Sequence, residues 1–124
     1  MPVIPSPADA THEAGGARFT SLATPSRGSA ETSVWRVEIA PGTPATPHSL
    51  TREEVLVVLD GTAVVSIDGV GSPAVAGDTI VVPPGVEFGV ANEATAPLRM
   101  LCCLPVGGRA LLRDGTPFTP PWAR

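Results

Sequence analysis

Thirteen glycines and fifteen prolines are spread along 124 residues, between short apolar runs rather than in one block. Proline lacks an amide donor and breaks helices, while glycine takes the backbone conformations that tight turns need, so a chain punctuated this densely cannot sustain long helices. It reads instead as many short strands joined by turns. The alternation Ser33-Val34-Trp35-Arg36-Val37-Glu38-Ile39 puts Trp35, Val37 and Ile39 on one face and Arg36 and Glu38 on the other, which is the pattern of a half-buried strand. Arg18 to Ala23, Glu54 to Leu59, Thr62 to Ile67, Thr79 to Val82, Val86 to Val90 and Leu98 to Leu104 are further strand candidates, with Asp60-Gly61 and Asp68-Gly69 as turn signals between them. The only helical hint is Thr51-Arg52-Glu53-Glu54, too short to stand alone. The prediction is an all-β sandwich or barrel.

The length allows one domain and one site. Residues 1–16 are polar and aperiodic and read as a flexible arm or a strand exchanged with a partner; residues 17–114 form the body; residues 115–124, rich in proline, predict an extended strap with Phe118 and Trp122 packed on the body or on a partner. A formal charge of −4 and eight scattered arginines leave no basic footprint for nucleic acid. No apolar run reaches the roughly 20 residues a membrane helix needs, and the first residues lack the basic start and apolar core of a signal peptide, so a cytoplasmic protein is expected. The adjacent Cys102 and Cys103 match neither a disulfide framework nor a zinc motif. Absence of lysine beside abundant alanine, arginine and proline is the composition of a GC-rich bacterial gene.

Two segments carry a more specific pattern. Gly42 to Gly61 resembles the first cupin motif, G-x5-H-x-H-x3-E-x6-G, with every position present except the second histidine, where Leu50 stands. Gly77 to Asn92 resembles the second, G-x5-P-x-G-x2-H-x3-N, with Gly77, Pro83, Gly85 and Asn92 in place and Phe88 at the histidine. The resemblance implies a small single-domain RmlC-like cupin: a double-stranded β-helix, or jelly-roll barrel, with Gly42, Gly61, Gly77 and Gly85 at turns. In metal-binding cupins three histidines and the glutamate converge on a divalent ion. Here the resemblance leaves His48 and Glu54 as the metal ligands, an incomplete set, since catalytic sites normally supply at least three protein donors. His12, Cys102 and Cys103 are the candidate replacements, and Glu87 has the wrong strand parity.

Strand parity places His48 and Leu50, then Glu54, Leu56 and Val58, then Val86, Phe88 and Val90 inside the barrel. His48 and Glu54 are the candidate catalytic residues, an imidazole and a carboxyl able to tune each other and to act as acid and base near neutral pH. Trp35, Leu50, Leu56, Phe88, Val90, Met100 and Cys102 are the candidate ligand-binding residues. The leading expectation is a small-molecule-binding protein without a cofactor, an isomerase, epimerase, cyclase or dehydratase of bacterial secondary metabolism. The alternatives are a non-catalytic ligand-binding or sensory cupin and a metal-dependent oxygenase or lyase. A homodimer is expected, because a short barrel has sheet edges to cover.

Overall fold

A computed structural model describes residues 3–124. Twelve strands follow in chain order: β1 (His12–Ala14), β2 (Ala17–Ala23), β3 (Thr32–Ile39), β4 (His48–Leu50), β5 (Glu54–Asp60), β6 (Thr62–Ile67), β7 (Val70–Val75), β8 (Thr79–Val82), β9 (Phe88–Ala91), β10 (Leu98–Pro105), β11 (Ala110–Leu112) and β12 (Pro117–Phe118). They form two six-stranded sheets, ordered β1-β2-β3-β10-β5-β8 and β12-β11-β4-β9-β6-β7. Every pairing is antiparallel. The protein is an all-β jelly roll.

The alternation predicted for β3 holds: Trp35, Val37 and Ile39 are buried, and Arg36 is exposed. Each inward residue meets an inward partner across the ladder, Trp35 opposite Cys102 and Val37 opposite Met100, so the core between the sheets is assembled row by row. Thr51, Arg52 and Glu53 do not form the hinted helix. They bend the chain between β4 in one sheet and β5 in the other, with Arg52 and Glu53 exposed. The described helical turns are 3-10 turns at Pro25–Arg27 and Pro121–Ala123.

His12–Ala14 pairs with β2 of its own chain through a turn at Gly15 and Gly16, and the Thr11 amide donates to the Phe19 carbonyl at 2.8 Å. The division between residues 16 and 17 therefore falls inside a hairpin. The C-terminal strap departs from a fully extended segment: Pro117–Phe118 makes a two-residue ladder with β11, and the chain then closes in the Pro121–Ala123 turn.

Motif residues that do no chemistry hold the loops above the barrel. Gly61 has a φ of +88°, and a Cβ there would lie 2.6 Å from the Pro97 carbonyl oxygen, so only glycine fits between β5 and β6. Asn92 is fully buried; its amide donates to the carbonyls of Ile39 (3.0 Å) and Ala96 (2.9 Å), and its side-chain oxygen accepts from the Ala94 amide. Its backbone also bonds Gly42 and Thr43, which ties the second motif to the first.

Candidate functional site

A cavity of about 380 Å³ opens between the sheets. Trp35 on β3, Glu54 and Leu56 on β5, and Met100 and Cys102 on β10 line it from one sheet; His48 and Leu50 on β4 and Phe88 and Val90 on β9 line it from the other. All nine predicted site positions thus reach one cavity, because residues two apart on a strand share a face. Leu50 and Phe88, each 2% exposed, narrow the interior without filling it.

His48 is half-buried, and its Nδ1 lies 2.8 Å from the Thr46 carbonyl oxygen. A carbonyl only accepts, so Nδ1 carries the hydrogen, and in the neutral ring Nε2 is left with an open lone pair. The ring leans on Phe88, with centroids 4.5 Å apart at 49°. Glu54 is 7% exposed and has neither a hydrogen bond nor an ion pair from its side chain among the described residues. Burial pushes its carboxyl from 4.5 up to about 8. The expectation that imidazole and carboxyl tune each other is corrected here: no bond joins them, and desolvation alone shifts Glu54. Burial likewise raises the Cys102 thiol, with the Glu54 charge as the next cause, so Cys102 is a small apolar wall rather than a thiolate.

The four-ligand ion site implied by the motif does not fit this donor set. Two of its positions are the apolar Leu50 and Phe88, and among the described residues no three His, Cys, Asp or Glu side chains converge so as to hold an ion. Of the candidate replacements, Cys102 lines the cavity, whereas His12 and Cys103 do not. The His12 ring bonds the neighbouring Thr11 hydroxyl at 2.9 Å, and Glu87 points outward into a bidentate pair with Arg113.

Among the lining residues not assigned to the site from sequence are three aromatic ones, Phe19, Phe118 and Trp122. Phe19 stacks on Trp122, with ring centroids 3.6 Å apart and planes within 6°, and Phe118 tilts against the same indole at 5.8 Å. Their aromatic character in an otherwise polar N-terminal strand and proline-rich tail is the signal that marks them.

The cupin-domain family profile matches residues 35–104, more than half of the chain. An uncharacterized protein of Methanocaldococcus jannaschii, MJ1618, is 34% identical over 53 residues, which are 43% of this chain, and the chain spans only 42% of that protein's length. Among solved structures, an RmlC-like cupin from Shewanella frigidimarina superposes with a TM-score of 0.67 at 22% identity, covering 78% of this chain and 82% of that one. The polyketide cyclase RemF from Streptomyces resistomycificus superposes with a TM-score of 0.70 at 20% identity, covering 82% and 73%. At those identities the likeness speaks for the fold. The two motifs, the two-sheet barrel with its inward-facing cavity and the profile match together place this chain in the cupin family.

Proposed function

We propose that this cupin binds a small organic molecule in its barrel cavity and moves protons on it without a metal, as an isomerase, epimerase, cyclase or dehydratase. The observation that carries the reading is a buried, unpartnered carboxyl and an imidazole with one open nitrogen on the same apolar cavity. Near neutral pH Glu54 holds its proton and delivers it to a substrate oxygen, while Nε2 of His48 takes one from carbon; return of both protons restores the side chains. Burying a carboxyl without a partner costs stability whatever its role, and a group kept at that cost favours function over a relic.

Deuterium incorporation from heavy water into a panel of enolisable ketones, followed by NMR, tests the reading. The wild type exchanges, and Glu54→Gln and His48→Ala each slow exchange by roughly 10²–10⁴-fold. Equal exchange in all three proteins would sink it. Binding without exchange would leave a ligand-binding or sensory cupin, and exchange lost to a chelator and restored by one divalent ion would return the protein to the metal-dependent group.

We further propose a cytoplasmic homodimer. Its two cysteines are free, and the outer face of the first sheet carries an apolar ladder in which Leu101 opposes Val57, and Val55 opposes both Cys103 and the exposed Val81. A second copy covers that ladder.

A further inference from the structure

The chain has three phenylalanines, two tryptophans and no tyrosine, and all five aromatic side chains line this same cavity. None of its eight cationic residues does, and it has no lysine. The polar side chains on the wall are Glu54, His48, Thr43 and Thr46. The Phe19–Trp122 stack shows that flat groups lie face to face at this wall, and Phe118, 38% exposed, continues the aromatic surface outward.

We propose that the cavity is selective for an uncharged, planar, conjugated molecule of about two fused rings, an aromatic ketone or phenol, seated among Trp35, Phe88 and the Phe19–Trp122 wall. The proposal rests on the reading of the cavity as a ligand site and names the class of ligand it takes. Carboxylates and phosphates are rejected because, among the described residues, no guanidinium or ammonium faces the interior to replace their lost hydration. Sugars are rejected because four polar side chains cannot satisfy a ring of hydroxyls in a space otherwise walled by carbon. Among neutral molecules, a flat π-system gains offset-stacked and edge-to-face contacts that a saturated ring of the same size lacks. The volume of about 380 Å³ lies at the small end of ligand pockets, roughly 300–1,000 Å³, which sets the size at about two rings.

Both tryptophans line the cavity, so the intact protein reports occupancy through its own fluorescence. The probes are naphthol and tetralone (neutral, carrying an aromatic ring), naphthoate (planar, anionic), decalol (neutral, saturated) and glucose, each titrated by fluorescence and calorimetry. Naphthol and tetralone bind at least about tenfold more tightly than the other three, and Phe118→Ala, an exposed position that leaves the barrel intact, weakens them severalfold. Trp122→Ala does the same by calorimetry. Naphthoate or glucose binding as tightly as naphthol would overturn the charge argument while leaving a ligand cavity. Decalol equal to naphthol would overturn the planarity argument, and no binding by any probe would overturn the class altogether. Tetralone that binds without exchanging its α-hydrogens in heavy water refutes the proton-transfer reading and leaves the ligand class standing.

Discussion

Glu54 sits where the carboxylate form is poorly solvated, and its stability consequence follows from linkage. Its carboxyl titrates near 8 in the fold and near 4.5 in the unfolded chain, so between those values the native state holds a proton that the unfolded state has released. The contribution is fully present below 4.5 and is lost as pH rises through about 8, a change on the order of 5 kcal/mol at most. Thermal unfolding of the wild type should therefore shift to lower temperature across that window, while Glu54→Gln, neutral at every pH, flattens the profile and is the more stable protein above pH 8. Parallel profiles for the two proteins would mean that the carboxyl is better solvated than its burial implies. From sequence, strand parity was enough to point Glu54 inward. That it stands without a partner was not legible, because a hydrogen bond depends on what the opposite sheet brings near.

At the scale of elements, the C-terminal strap is held by hydroxyls far away in sequence. Ser21 on β2 donates to the Trp122 carbonyl at 2.7 Å, Ser33 on β3 to that of Ala123 at 2.6 Å, and Ser26 to that of Arg124 at 2.7 Å. Ser33 is 1% exposed, so Ser33→Ala leaves a carbonyl unpaired and should cost about 1–3 kcal/mol of stability. Trp122 emission should shift to the red as the strap loosens, whereas unchanged emission and stability would show that the Phe19 stack holds the strap unaided. β3 was readable from its alternation, and β5, β6 and β10 from apolar runs of six or more residues set off by turn signals. β4 and β11 have three residues each, and five of the six residues of β7 are exposed, so no periodicity marks them and neighbours alone make them strands.

For the whole molecule, the apolar ladder on the outer sheet face predicts a particle of twice the chain mass by light scattering. Val81→Arg, at a position 53% exposed in the single chain, should give a folded monomer with an unchanged circular dichroism spectrum. A wild-type monomer at high micromolar concentration would refute the dimer. The nine lining positions assigned from sequence were readable from one-dimensional regularities: the spacing of two motifs located the loops, and the period of two assigned faces. Phe19, Phe118 and Trp122 were not, since a hundred residues separate the stacked pair and only closure of the barrel brings them together. The sequence by itself determined that this chain is a cupin barrel with an inward-facing His48 and Glu54, because turns and alternation are local properties of the backbone. Tertiary structure alone decided that the cavity stays open, that every aromatic ring meets at it and that Glu54 has no partner among the described residues, because contacts across two sheets depend on side chains that sequence distance does not relate.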